Sequence, residues 1–287
     1  MPELPEVEAL RGLLENRVVG RAITRVWLVA FSALKTHTPP LDALHGLEVS
    51  GVSRHGKFLD VDAQGVHLVF HLARAGWLVW RDEVPTAPPR PSKNPLALRV
   101  VLDDGSGFDL TEAGTQKHLA VHVVTDPQQV AMVATLGPDP LADDFSPAAF
   151  GAILDRAGRS QIKGVLRDQR VIAGIGNAYS DEILHAARLS PFTPATSLDE
   201  AGRAALYEVV RRVLREAVER AGGKEAKELK DSKRATMAVH GRTGQPCPVC
   251  GDVVREVSFA DSSLQYCATC QTGGKPLADR RMSKLLK

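Results

Sequence analysis

Four cysteines, all between Cys247 and Cys270, carry the clearest chemistry in the 287-residue chain. Cys247-Pro-Val-Cys250 and Cys267-Ala-Thr-Cys270 each enclose two residues, and sixteen residues separate the pairs. This spacing places two thiolates on each of two tight turns, and four thiolates complete a closed tetrahedral Zn²⁺ site with no position left for a substrate. The expected role of the zinc is structural, because the short segment around it holds too little apolar sequence to fold unaided and metal binding supplies its folding free energy. A redox pair, an iron–sulfur cluster and His240 as a substitute ligand are the competing readings.

A second candidate lies at the N-terminus. Removal of the initiator methionine, which the small Pro2 permits, leaves a secondary amine whose pKa lies near the α-amino reference of about 8, far below a lysine. Such an amine can act as a neutral nucleophile. Glu3 and Glu6, three apart on a helix, lie on one face close to it and could shuttle protons. Acidic residues also favour a first helical turn without any catalytic role. Further on, the glycine turn Gly174-Ile-Gly-Asn177 leads into the helix SDEILHAARL. It lacks the third glycine of a dinucleotide fingerprint, Tyr179 standing there instead, and no strand precedes it, so that reading is rejected. An N-cap at Asn177 remains, opening a helix whose N–H groups could hold a phosphate or simply be capped.

Composition and hydrophobic pattern give the scaffold around these residues. A composition of 44% hydrophobic and 24% charged residues excludes a fibrous or wholly disordered chain. The longest apolar run near the N-terminus, Val26 to Phe31, is far short of a membrane span, and Glu3 and Glu6 replace the basic start of a secretory signal. A cytoplasmic protein is therefore expected. Residues 222–287 hold 12 Lys+Arg against 7 Asp+Glu, net +5, leaving 24 against 27, net −3, for residues 1–221. The positive excess travels with the cysteines and suits a polyanionic partner, although a solvated basic tail has the same composition.

PELPEVEALRGLLENR reads as a helix, with Val7, Leu10 and Leu14 at i, i+3 and i+7. From Ala22 to Val124 short β-rich runs alternate with Gly, Asp and Pro, and Asp104-Gly105 is a hairpin signal. Val66, Leu68, Phe70 and Leu72 share one strand face. Helical periods follow, including one announced by the capping box Ser197…Glu200, with Leu206, Val209, Val210, Val213 and Ala217 on one side and Gly222-Gly223 as its stop. Residues 224–240 are polar and basic with no clear period. The expected organisation is a β domain over 1–135, a linker over 136–147, a helical domain over 148–240, a zinc module over 241–274 and a basic tail over 275–287.

MPELPEVE at the start, RHGKFL around Lys57, LGPDPL, IKGVLRDQRVIAGIGNAYSDEIL, and GRTGQPCPVCG with the distal YCATCQ occur in one order. In that order, from Pro2 to Gln271, the chain resembles the formamidopyrimidine-DNA glycosylase and endonuclease VIII family, with the N-terminus of the formamidopyrimidine branch. The resemblance implies an α+β fold: an N-terminal helix with a β-sandwich, a helical helix–two-turns–helix domain and a C-terminal zinc-finger hairpin. It implies a bifunctional DNA glycosylase/AP lyase of base-excision repair, monomeric and associated with the bacterial nucleoid, acting on damaged double-stranded DNA with one structural Zn²⁺ held by Cys247, Cys250, Cys267 and Cys270. Pro2 would attack C1′ and become a Schiff base, Glu3 would serve as acid/base at the sugar, Glu6 would support the site, and Lys57 would contact a phosphate beside the lesion. Lys163, Gly174 and Asn177 would belong to the helix–two-turns–helix element that holds phosphates, and the finger would form the other jaw of a DNA-binding cleft.

The departures from the family pattern matter as much. Ser262 stands where the family has a phosphate-binding arginine. His71-Leu-Ala-Arg74-Ala-Gly76 and Thr115-Gln-Lys-His-Leu119 replace the usual void-filling residues, so Arg74 becomes the candidate to fill the gap left by a flipped base. KELKDSKRATMAVHG replaces the lesion-capping loop. A basic tail with Lys275, Arg280, Arg281, Lys284 and Lys287 continues past the last cysteine, and Arg280 and Arg281 are expected to contact DNA. Oxidised purines are the expected substrate; excision of oxidised pyrimidines and a non-catalytic damage sensor are the alternatives.

Overall fold

Val7, Leu10, Leu14 and Val18 recur along one stripe, and residues Leu4–Val18 form helix α1 with that stripe buried. It belongs to the first of two compact units of a computed structural model that describes residues 1–85, 87–89, 95–259 and 262–278. This unit comprises Met1–Leu136 together with Ala221–Leu229. Eight strands follow the helix: β1 (Ile23–Leu28), β2 (Val49–His55), β3 (Phe58–Ala63), β4 (Val66–His71), β5 (Gly76–Arg81), β6 (Leu96–Leu102), β7 (Gly107–Glu112) and β8 (Ala120–Val124). They pair antiparallel into two four-stranded sheets, ordered β1-β6-β7-β5 and β2-β3-β4-β8.

Strand alternation sorts the side chains. Leu68 and Phe70 join the core that α1 and both sheets share, together with Leu59, Leu98, Phe108 and Leu110. Val69 points to the opposite face and packs with Phe58, Val124, Val130 and Val133, the last on the short helix α2 (Ala131–Ala134). Asp104 and Gly105 form the turn from β6 to β7, Gly105 taking φ +81°. Ala221, Ala226 and Leu229 return to the first core after the helical region, and Trp77 Nε1–H donates to Ala226 O at 2.9 Å.

The second unit holds Gly137–Arg220 and the residues from Lys230 onward. Its elements are α3 (Pro147–Ala157), α4 (Ile162–Arg167), α5 (Asn177–Ala186), α6 (Glu200–Ala221), α7 (Leu229–Thr236), the antiparallel hairpin β9 (Val254–Ser258) and β10 (Ser263–Cys267), and α8 (Ala268–Thr272). Ser146 caps α3, its hydroxyl accepting from Ala149 N–H at 3.1 Å. The cap of α6 is Asp199, whose carboxylate accepts from Gly202 N–H at 2.8 Å. Ser197 does not serve; it lies in a 3₁₀ turn and donates its hydroxyl to Pro194 O. Residues 224–240, polar and basic without a clear period, hold a 3₁₀ turn over Ala226–Glu228 that runs into α7.

The proline-rich stretch after Leu136 is tied down. Gly137 N–H donates to Gln169 O, and a Cβ at Gly137 would lie 2.5 Å from the Val171 carbonyl, so only glycine fits. Arg211, buried on α6, donates to the carbonyls of Pro140, Ala142 and Phe145. Among the described residues no helix is long and apolar enough to cross a membrane.

Candidate active site and metal centre

At the head of α1, Pro2 is buried and Met1 before it is 48% exposed. Glu3 N–H donates to Glu6 Oε2 at 2.9 Å, and the Glu3 carboxylate closes the reciprocal capping box on the helix's third N–H. Both carboxylates are buried. The box fixes two acids against the backbone immediately beside Pro2, and their three-residue spacing is what allows it.

Lys57 occupies the turn between β2 and β3, after Gly56 at φ +56°, and is buried. Arg54, on β2, joins this turn to α1: its Nε donates to Glu8 Oε2 at 2.7 Å and its Nη1 to Gly56 O at 3.1 Å. Burial pushes the Glu8 carboxyl upward, yet hydrogen bonds and charge from Arg54 and Arg11 outweigh it and hold it below the usual range. Close to Lys57 lies His71, whose pKa is pushed down to about 4, first by burial and then by the Lys57 charge. His71 Nδ1 accepts from Ala73 N–H, and its ring stands 4.7 Å from that of Phe58. The following turn bends through Ala73 at φ +49° and leaves Arg74 exposed.

In the second unit, Gly174 takes φ +87° in the turn between α4 and α5. Its N–H donates to Gln169 Oε1, and Gln169 Nε2 in turn donates to the carbonyls of Ile175 and Arg167, so one glutamine stitches the turn. Gly176, not Asn177, is the N-cap of α5. Asn177 is the first helical residue and its Nδ2–H donates to Ser263 O at 2.7 Å. Lys163 is not a surface cation: it is 5% exposed, and its Nζ donates to Asp181 Oδ1 at 2.6 Å and Ser180 Oγ at 2.8 Å. A buried lysine on a buried carboxylate is a structural link between α4 and α5.

The four cysteines converge. Their sulfurs lie within 4.8 Å of one another, with Cys250 and Cys267 at 3.3 Å and Cys247 and Cys270 at 3.9 Å. No disulfide joins them. Zn–S bonds of about 2.3 Å in a tetrahedron demand sulfurs at about this separation, so the residues fit a structural zinc. Burial opposes ionisation of Cys247, but the backbone N–H groups of Val249 and Cys250 and the His185 imidazole bring its thiol below the ordinary range. Burial pushes Cys267 up to about 11, so a divalent cation is the natural means of holding all four as thiolates. His240 is not a ligand; its Nδ1 stands 2.8 Å from Asp181 Oδ2.

Helix α5 holds the segment leading into this finger. Glu182 accepts from the N–H groups of Ala238, Val239 and His240, and Asp181 Oδ2 accepts from Gln265 N–H. Burial raises the Glu182 carboxyl pKa against the pull of those three donors. Ser262 closes the β9–β10 turn, its carbonyl accepting from Phe259 N–H at 2.8 Å. Arg280 and Arg281 lie outside the described residues. Sequence reasoning missed Glu8, Arg54, Gln169, Glu182 and His185; all five fall within or beside the quoted motifs, which was their only signal.

Comparison with known proteins matches residues 1–136 to the formamidopyrimidine-DNA glycosylase N-terminal domain, residues 136–228 to the formamidopyrimidine-DNA glycosylase H2TH domain and residues 244–273 to a zinc finger found in FPG and IleRS. A formamidopyrimidine-DNA glycosylase of Symbiobacterium thermophilum is 36% identical over 294 residues, covering 98% of this chain and 93% of that protein. An uncharacterized formamidopyrimidine-DNA glycosylase-like protein of Mycobacterium tuberculosis is 59% identical over 152 residues, 53% of this chain and 94% of that protein. The crystal structure of the Lactococcus lactis formamidopyrimidine DNA glycosylase, bound non-covalently to DNA containing an AP site, superposes with a TM-score of 0.80 at 26% identity, covering 94% of this chain and 99% of that one.

Proposed function

This chain belongs to the formamidopyrimidine-DNA glycosylase family and is a DNA glycosylase of base-excision repair, and we propose that it excises oxidised purines and then cuts the strand through an imine on Pro2. The observation that carries this reading is the head of α1, where Pro2 directly precedes two buried carboxylates locked by one capping box. With Met1 removed, the Pro2 nitrogen attacks C1′ of the flipped nucleotide and the damaged base departs, leaving an iminium ion. Glu3 is the carboxylate next to that nitrogen and exchanges protons with the sugar, while Glu6, bound to Glu3 N–H, holds it in place. The iminium ion acidifies the C2′ proton, so the 3′-phosphate leaves by β-elimination; a second elimination releases the 5′-phosphate.

The glycosidic bond is hidden in the duplex, and flipping the nucleotide out costs a few kcal/mol, less at damaged pairs. Exposed Arg74 is the candidate to fill the gap, and Lys57, in the turn between β2 and β3, the candidate to meet a phosphate beside the lesion. Asn177 and the N-terminus of α5 supply the phosphate clamp of the second unit. Lys163 keeps that helix in place from inside. The zinc module, held by its four cysteines, orders the β9–β10 hairpin for DNA.

One observation favours a second reading, excision of oxidised pyrimidines. The segment that replaces the lesion-capping loop forms α7, and Lys233 Nζ lies 4.7 Å from the Tyr179 ring centroid on α5. A pinned helix covers a purine less readily than a free loop. Product release from matched duplexes holding one oxidised purine or one oxidised pyrimidine separates the two. Faster release of the purine is expected; faster release of the pyrimidine overturns the substrate assignment, and release of neither leaves only a damage sensor. In the same assay Arg74→Ala should slow excision from either duplex, and an unchanged rate would remove Arg74 from the site.

A further inference from the structure

Helix α5 reaches the zinc centre itself. His185, one turn beyond Asp181 on α5, is 5% exposed, and its Nε2 stands 3.3 Å from Cys247 Sγ. We propose that His185 is an outer-sphere zinc-site residue whose Nε2–H donates to the Cys247 thiolate and fixes that ligand's charge and orientation.

Four thiolates around a divalent cation leave a surplus of two negative charges, which must be met by donors or by water. Cys250 is exposed and can be hydrated, whereas Cys247 is 2% exposed and must be served by protein groups. A thiolate has no proton to give, so the hydrogen in this contact belongs to Nε2, and the imidazole is fixed as the Nε2–H tautomer. His185 is not a fifth or substitute ligand, because the four sulfurs already complete the shell within 4.8 Å of one another. Packing alone does not account for it either: a phenyl ring fills the same space, but only an N–H donor offsets thiolate charge. The same helix binds the approach to the finger through Glu182 and the hairpin through Asp181, so His185 extends one set of contacts from backbone to metal ligand.

The test uses the full chain loaded with Co²⁺ or Zn²⁺. In His185→Phe the sulfur-to-cobalt charge-transfer band should move to lower energy, and transfer of zinc to a chromogenic chelator should become about 10-fold to 100-fold more favourable, the usual effect of losing an outer-shell partner. His185→Gln, which keeps an N–H donor, should restore most of both, a rescue that a packing role would not produce. A His185→Phe protein with the wild-type spectrum and zinc affinity overturns the proposal. So does a wild-type spectrum typical of three sulfur donors and one nitrogen. Should the Phe variant fail to fold, wild-type protein loaded with ¹¹³Cd decides the matter: the His185 Nε2 proton should show scalar coupling to cadmium across the hydrogen bond, and its absence with fast solvent exchange refutes the assignment.

Discussion

Arg54 Nε meets Glu8 Oε2 at 2.7 Å, so one side chain ties the helix that carries Pro2 to the turn that carries Lys57. The pair is partly buried, between the limits for exposed and buried ion pairs, and Arg54→Met should destabilise the first unit by about 2 kcal/mol. Glu8 is held below its unfolded pKa, so this stabilisation is complete above about pH 4.3 and fades as pH falls through the lower folded value. Thermal melts of wild type and Arg54→Met between pH 7 and pH 3 should therefore converge on the acid side. A constant difference would show that the Arg54 effect is packing alone.

Burial, and after it the Lys57 charge, keep His71 neutral, with a pKa pushed down to about 4. The unfolded chain binds a proton to this histidine near pH 6.5, so its contribution to stability is full above that pH and declines between there and about pH 4. In an NMR titration His71 should stay neutral through pH 5. Lys57→Met should raise its midpoint while leaving it below 6.5, because burial is the larger cause. A midpoint unmoved by the substitution would separate the two residues.

Lys163 is bound to Asp181, a carboxylate with almost no exposure, and Lys163→Met leaves that charge with weaker partners. The expected loss is about 3 kcal/mol of stability in the second unit. Because this amine faces inward, the salt dependence of duplex binding should keep its slope; a slope reduced by about one would mean that Lys163 meets a phosphate after all.

The basic tail has a described root. Leu277 N–H donates to the buried hydroxyl of Tyr266 at 2.7 Å, and Leu277 packs against the apolar cluster of Val257, Leu264, Tyr266 and Ala268. Truncation after Gly274 removes this root along with Lys275, Arg280, Arg281, Lys284 and Lys287. If the tail contacts DNA in place of the arginine absent at Ser262, the slope of log affinity against log salt should fall by roughly one for each lost phosphate contact. An unchanged slope and affinity would make the tail a solvated end.

The legible parts of this molecule were those written in local spacing. The stripe Val7, Leu10, Leu14 gave α1, the Asp104-Gly105 signal gave a hairpin, and the two Cys-x-x-Cys pairs gave the thiol cluster. Less was legible where partners are distant in sequence. Nothing near Lys163 announces Asp181 and Ser180, 18 and 17 residues on, so the motif alone does not show that this lysine is bound inside the fold. Asn177 has the residue type of a cap, but Ser263, 86 residues away, takes its amide and Gly176 takes the cap. Asp199 displaced Ser197 by two residues, within the margin that helix ends allow. Ala226 returns to the first core with its backbone carbonyl accepting from Trp77 Nε1–H, a contact that no side-chain pattern encodes.

The proposed chemistry stands or falls with the Pro2 nitrogen as nucleophile. Borohydride trapping on a duplex with a single abasic site, using protein whose N-terminal mass shows Met1 removed, followed by peptide mapping of the adduct, tests it most directly. A stable covalent adduct on Pro2 is expected, abolished when Met1 is retained. Correctly processed protein that binds the duplex yet yields no adduct, or an adduct mapped to a lysine, would contradict it.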